Sequence, residues 1–287
     1  MYFKQILNER CGCASYVIAS RETHEAAIID PAIDTEPYDA LLRERDFRLR
    51  YVIDTHIHAD HVSGARRLAT AHGAELCLHE AARVTYPFRP LSDGSELELG
   101  QLRLRVLHTP GHRPELISLL IINPPRSPEP SMVLTGDSLL VGDVGRPDFG
   151  GGDAAAQYDS LTRLLRLPDW VAVFPGHFEG PCGKGMCGRP STTLGSERLY
   201  NPLARLDRVA EVPRGRPVYL ICQGGFRSLR AAPFLRQQGF EDVVSVKGGT
   251  EAWRAAGKPL AQGEARAEPA CVIETEWAHA GASTYAI

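Results

Sequence analysis

Thr55-His56-Ile57-His58-Ala59-Asp60-His61 places three imidazoles and a carboxylate within six residues. Neutral imidazole is the commonest metal-binding side chain, and carboxylate is its usual companion in catalytic metal sites. The cluster follows the apolar run Tyr51-Val52-Ile53, which reads as a buried strand, so it falls where strand gives way to loop. In an extended segment His56 and His58 point the same way, with Asp60 and His61 turning back towards them. Three later stretches repeat the plan. His108-Thr109-Pro110-Gly111-His112 delivers a histidine through a Pro-Gly turn. The run Met132–Gly136 ends in Asp137, and Trp170–Gly176 ends in His177. Strand ends are where loops meet in layered α/β folds, so four such ends in series point to one convergent metal site.

The elements that must position these residues are legible in outline. Ser15–Ala19 and Ala26–Asp30 read as adjacent strands, with Pro31 ending the second. Pro37 opens a helix running to Phe47, and a helix over 62–71 is ended by Gly73. Glu75–His79 is a strand, 97–107 a hairpin around Gly100, and Leu116–Ile122 a buried strand. Pro124–Pro130 reads as an exposed loop. This alternation predicts a layered α/β domain.

The chain has 287 residues, enough for one large domain and a small one. A formal charge of −3 gives no reason to expect nucleic acid or an anionic membrane as partner. No apolar run approaches a spanning helix, and Met1-Tyr2-Phe3-Lys4-Gln5 lacks a basic-then-apolar signal, which predicts a cytoplasmic protein. Seven cysteines, an odd number, read as reduced rather than as a disulfide framework. Cys11 and Cys13 read as small buried or turn residues. The Cys182–Cys187 spacing makes no convincing zinc pair, and none of these four receives a role.

From Pro213 the texture changes. Val218–Cys222 is a strand ending in cysteine, Gln223-Gly224-Gly225-Phe226-Arg227-Ser228 a tight loop, and Leu229–Gln238 an amphipathic helix. Loop amides and the helix's positive end stabilise an anion, which favours a reactive thiolate at Cys222. The alternative is a buried strand-end cysteine.

The ligand series His56, His58, Asp60, His61, His112, Asp137 and His177 resembles that of the metallo-β-lactamase superfamily at all seven positions, over roughly residues 1–205. The resemblance implies an α/β fold, an αββα sandwich with the metal site at one edge of two facing sheets. Two subfamilies compete. Glyoxalase II implies two Zn(II), with Asp137 bridging and a thioester substrate. Persulfide dioxygenases imply one Fe(II) per chain on residues matching His56, His112 and Asp137. In that case His58, Asp60, His61 and His177 are hydrogen-bonding neighbours or a vacant second metal site. Thr135–Phe149 is similar to the Gly-Asp-…-Gly-Arg-x-Asp segment of persulfide dioxygenases, as are Gly183–Met186 and Ser191–Arg198 to the segment after their last histidine. The resemblance makes Arg146 a substrate-binding candidate, against an ion pair with Asp143 or Asp148. Lys184 and Arg198 are weaker candidates for glutathione's carboxylates, against a solvated face.

Cys222–Ser228 and Lys247–Trp253 resemble the second half of a rhodanese, with Cys222 catalytic and Arg227 binding substrate. The first half is absent, so residues 206–262 are expected as a partial rhodanese-like α/β segment, followed by an irregular tail over 263–287. The expected function is a persulfide dioxygenase acting on glutathione persulfide with O₂, linked to sulfur transfer from thiosulfate, in a homo-oligomer. The alternative is a dinuclear zinc hydrolase whose C-terminal segment is a non-catalytic interaction module.

Overall fold

Along strand β2 (Cys13–Ala19), Tyr16 and Ile18 face one way and Val17 and Ala19 the other, and all four are buried. A sheet of that kind needs cover on both faces. The structure is a computed structural model that describes residues 1–148, 150–180, 182–183, 185–204, 217–221, 226–237, 239–257 and 272–273. The chain divides into two compact units, residues 1–204 and 205–287.

In the first unit, one six-stranded sheet runs in chain order: β1 (Tyr2–Asn8), β2, β3 (Glu25–Ile29), β4 (Arg48–Ile53), β5 (Glu75–His79) and β6 (Arg89–Leu91). The first three strands are antiparallel, and β3 to β6 are parallel. The parallel crossovers are α1 (Glu36–Arg45) and α2 (Ala65–His72), which bury Tyr38, Leu42, Leu68 and Ala69 against Val17, Ala26, Ile28 and Val52. The expected punctuation holds: Pro37 lies in the first turn of α1, and Gly73 closes α2 in a left-handed conformation.

The opposite face meets the second sheet, built from β7 (Glu96–Leu99), β8 (Leu102–His108), β9 (Ile117–Asn123), β10 (Ser127–Gly136), β13 (Ala172–Pro175) and β14 (Thr192–Thr193). Its spatial order is β14-β13-β10-β9-β8-β7. Between β10 and β13 lie the short hairpin β11 (Leu139–Leu140) and β12 (Asp143–Val144), then α3 (Ala154–Leu164). Helix α4 (Leu194–Tyr200) follows β14. Tyr16, Ile29, Ile53, Leu104, Val106, Leu119 and Leu134 interleave between the two sheets. The layered α/β expectation is met.

Two local expectations are not. Strand β1 went unread because Tyr2-Phe3-Lys4-Gln5-Ile6-Leu7-Asn8 has no clean alternation; it is an edge strand of mostly intermediate burial. The loop expected over Pro124–Pro130 is partly strand, since β10 begins at Ser127. Pro128 and Pro130 are tolerated there because the pairing with β9 is irregular over that stretch.

In the second unit β15 (Val218–Leu220) lies parallel to β16 (Val243–Ser245), with α5 (Phe226–Gln237) and α6 (Gly249–Ala255). Val218, Leu220, Ala232, Leu235, Phe240 and Val243 form its core. The tail expected to be irregular contributes β17 (Val272–Ile273), parallel to β15. Cys222 and Gln223–Gly225 lie outside the described residues, as does the side chain of Arg227.

Candidate metal centre

His56 leaves the end of β4 into the interior, 1% exposed. Its orientation follows from a chain of donors. Thr55 donates its amide (2.6 Å) to Asp30 Oδ1 and its hydroxyl (2.8 Å) to Asp30 Oδ2. With that proton committed, Thr55 Oγ1 accepts from His56 Nδ1 at 3.0 Å. The proton of His56 therefore sits on Nδ1, and the Nε2 lone pair points away from the relay. Burial, with His58 beside it, pushes the His56 pKa well below the usual range, so the ring is neutral and ready to bind a cation.

His112 reaches the same place from the turn after β8. Ser160 of α3 donates to Pro110 O (2.6 Å), and Asp153, which caps α3, donates its amide to Gly111 O (2.8 Å). His112 Nδ1 donates to the carbonyl of Arg146 at 2.8 Å, which again leaves Nε2 as the acceptor nitrogen. The His56 and His112 rings stand 5.3 Å apart at 89°.

Asp137 follows β10 through Gly136, whose φ of 49° belongs to the left-handed region. A Cβ at Gly136 would come within 2.7 Å of Thr55 Oγ1, so glycine protects the His56 relay as well as the turn. Asp137 Oδ1 accepts from His177 Nδ1 at 2.7 Å. Its Oδ2 is buried without a hydrogen-bond partner and lies 3.8 Å from His56 Nε2 and 3.5 Å from His112 Nε2. One ligand atom from each of these three buried residues falls within 4.8 Å of the others. Burial raises the Asp137 pKa, but His177, His56 and His112 outweigh it and hold the carboxylate ionised. An orphaned buried carboxylate oxygen facing two imidazole acceptors fits a cation: His56, His112 and Asp137 are the residues that would hold it.

The other four expected residues divide by their hydrogen bonds, although the His58 ring lies 4.3 Å from the rings of both His56 and His61. His58 Nε2 donates to Asp30 Oδ1 (3.1 Å), so His58 joins Asp30 and Asp54. The segment carrying it is a series of bends rather than the extended run expected from sequence. Asp60, His61 and His177 gather on the far side of the His177 ring, together with Cys13. His177 sits between two carboxylates, Nδ1 on Asp137 and Nε2 on Asp60 (2.8 Å). Burial lowers its pKa, and the two carboxylates raise it further than burial lowers it.

Arg146 places its guanidinium on Asp148, at 2.9 and 2.8 Å, one of the two ion-pair partners named against the substrate role. Its backbone carbonyl is what reaches the site, through His112. Arg198 caps the carbonyls of Leu165 and Leu167 and pairs with Asp169, which commits it to the end of α3 rather than to a ligand. Lys184 lies outside the described residues.

Sequence reasoning missed Asp30, Thr55, Glu115 and Cys13. Asp30 ends an apolar strand just as Asp137 does, a signal that was present and read only as a strand end. Glu115, buried, accepts from the amide of Ile57 (3.0 Å) and fixes the loop between His56 and His58. Cys13 pairs with His177 through a backbone bridge across 164 residues of sequence, which no local pattern announces.

With the geometry described, comparison with known proteins is informative. A family profile described as "Metallo-beta-lactamase superfamily" matches residues 8–177, and one described as "Rhodanese-like domain" matches residues 191–256. The second match starts upstream of the expected residue 206 and takes in β14 and α4, which belong to the first unit. Persulfide dioxygenase ETHE1, mitochondrial, of Homo sapiens is 31% identical over 201 residues, covering 66% of this chain and 70% of its own. Among solved structures, a metallo-beta-lactamase from Staphylococcus aureus subsp. aureus COL matches with TM-score 0.66 and 30% identity, over 75% of this chain and 69% of its own. ETHE1 from Myxococcus xanthus matches with TM-score 0.60 and 33% identity, over 75% and 93% respectively.

Proposed function

The chain belongs to the metallo-beta-lactamase superfamily and carries a rhodanese-like C-terminal region, and on that premise we propose that it is a persulfide dioxygenase. Its substrate is glutathione persulfide or a similar low-molecular-weight persulfide. The persulfide, O₂ and water yield the free thiol and sulfite: the outer sulfur loses four electrons, O₂ gains them, and water supplies the third oxygen of sulfite. The similarity to proteins named persulfide dioxygenase supports this reading.

The observation that carries it is the division of labour at Asp137. Its Oδ1 is taken by His177, and its Oδ2 faces His56 and His112. Two imidazoles and one carboxylate converging on one point are the donor set of non-haem Fe(II) oxygenases. Iron held there by His56, His112 and Asp137 would supply the redox change that O₂ chemistry requires. The protein's own residues do the positioning. Asp30 and Thr55 fix the tautomer of His56, and the Arg146 carbonyl fixes that of His112. Burial of all three donors excludes water from their inner side.

A linked sulfur transfer at Cys222, assisted by Arg227 and fed by thiosulfate or the persulfide, completes the proposal. A Gly-rich loop opening a helix lowers a thiol's pKa, and the rhodanese-like match over 191–256 supports that reading. Among the described residues no helix is long and apolar enough to cross a membrane. A cytoplasmic, homo-oligomeric enzyme remains part of the proposal.

The test is oxygen uptake by anaerobically purified, iron-loaded protein given glutathione persulfide. The expected result is one O₂ consumed per sulfite formed. Hydrolysis of S-lactoylglutathione with no O₂ uptake from the persulfide overturns the reading in favour of the zinc hydrolase. Cyanide-dependent sulfur transfer from thiosulfate is expected to vanish in Cys222→Ser. Transfer unchanged in that variant removes the sulfurtransferase.

A further inference from the structure

Past the end of β4 the backbone runs out of neighbouring strand, and its amides need acceptors from elsewhere. Asp54 N still reaches Cys77 O, at 3.2 Å. Thr55 N then goes to Asp30 Oδ1 at 2.6 Å, and Ile57 N to Glu115 Oε1 at 3.0 Å. His56 thus stands between two amides, each held by a carboxylate. Asp30 follows β3 of the first sheet, and Glu115 precedes β9 of the second. The Glu115 side chain is 2% exposed, and a carboxylate buried that far needs a counter-charge. Arg113 supplies it, with Nε on Glu115 Oε1 at 3.2 Å and Nη1 on Gly150 O at 2.7 Å.

We propose that Arg113 and Glu115 are a positioning pair that sets His56 and His112 relative to each other. Donors of a metal centre need to sit within about 0.5 Å of the productive geometry. The relays through Thr55 and the Arg146 carbonyl orient each ring, but neither ties one histidine loop to the other. The backbone rung from Ile117 N to Thr55 O, at 2.9 Å, joins the two loops before His56. The Glu115 carboxylate joins them again after it. One hydrogen bond leaves a hinge; two on either side of the residue fix angle as well as spacing.

Arg113 extends the link to the other histidine. Its carbonyl accepts from Gly111 N at 3.3 Å, which closes the turn around His112, so the guanidinium and the imidazole move together. Through Gly150 O it also reaches the loop whose Arg146 carbonyl fixes His112 Nδ1. Among the described residues Glu115 belongs to no cluster of ligand-type atoms, so it acts through the histidines and not on the metal. Ile57 needs only an acceptor there, whereas Arg113 needs the charge. This role rests on His56 and His112 being metal ligands, and it holds whether the reaction is oxygenation or hydrolysis.

The test is anaerobic competition for Fe(II) between the full chain and a chromogenic chelator. Glu115→Ala is expected to weaken Fe(II) binding about 10-fold or more. Glu115→Gln, which keeps an acceptor for Ile57 N, should recover most of that loss, and Arg113→Met should fall between the two. Urea unfolding of the metal-free variants separates positioning from plain stability. A purely structural pair lowers the unfolding midpoint and leaves the Fe(II) affinity of folded protein unchanged. Unchanged affinity in Glu115→Ala, or a loss in Glu115→Gln as large as in Glu115→Ala, overturns the proposal. Near-ultraviolet circular dichroism identifies a variant that has lost its fold. Should Glu115→Ala be such a variant, Arg113→Met decides, and unchanged affinity there overturns the pair. His56→Ala separates the two layers of the reading. If it binds Fe(II) as tightly as the unaltered chain, the metal-centre assignment fails and this role with it. If it loses Fe(II) while Glu115→Ala does not, only the positioning role fails.

Discussion

On the Nδ1 side of the His177 ring, His56, His112 and Asp137 are each buried, and the protons of both imidazoles are assigned by outer partners. On the Nε2 side, Asp60 and His61 keep contact with solvent, and the donors restrain one another. The buried side depends on hydrogen bonds further out, to Asp30 through Thr55 and to the Arg146 carbonyl. On the open side the backbone pairing of Cys13 with His177 fixes two of the four residues, and side-chain hydrogen bonds hold Asp60 and His61 to them. Similar ligand types are thus held by two methods, one electrostatic and one topological.

The first way to probe that contrast is to relieve a buried charge behind the metal centre. Burial pushes the Asp54 carboxyl up to about 6, against the lowering influence of His58 and Ser63. A folded-state pKa above the unfolded value means that this residue's contribution is intact at low pH and is lost as pH rises from about 4 to about 6. That loss amounts to at most about 3 kcal/mol. Asp54→Asn should therefore gain stability relative to the parent across that interval. Urea unfolding of metal-free protein at several pH values checks it, and a pH-independent difference would count against the assignment. A smaller effect comes from cutting the relay itself. Thr55→Val removes the acceptor of His56 Nδ1 and the hydroxyl donor to Asp30 Oδ2, and leaves the backbone amide on Oδ1. Iron affinity is expected to fall about 10–100-fold. A competition titration with a chelator checks it, and an unchanged affinity counts against the relay.

Much of this was legible in the chain and some was not, for reasons that differ residue by residue. His56, His112, Asp137 and His177 could be read because each follows a strand whose buried apolar residues make it conspicuous. The different hydrogen-bond partners of His58 and His61 could not, because that of His58 is Asp30, which arrives from a neighbouring strand. Cys13 was passed over as a small buried residue; its burial was right, and its neighbours lie 47, 48 and 164 positions away. Pro128 and Pro130 argued against a strand, and an irregular register with β9 admitted them. Arg146 drew notice for its charge, while its contact with the site is a peptide carbonyl that any residue type supplies.

The seam at Gly12, Cys13 and Ala14 also has a kinetic consequence. It fastens the start of β2, in one sheet, to the loop that follows β13, in the other. Parting the two sheets at that rim requires the seam to open, which is a local unfolding of the N-terminal edge. Hydrogen exchange at two amides, Ala14 and Phe178, then reports how rarely that edge opens to solvent.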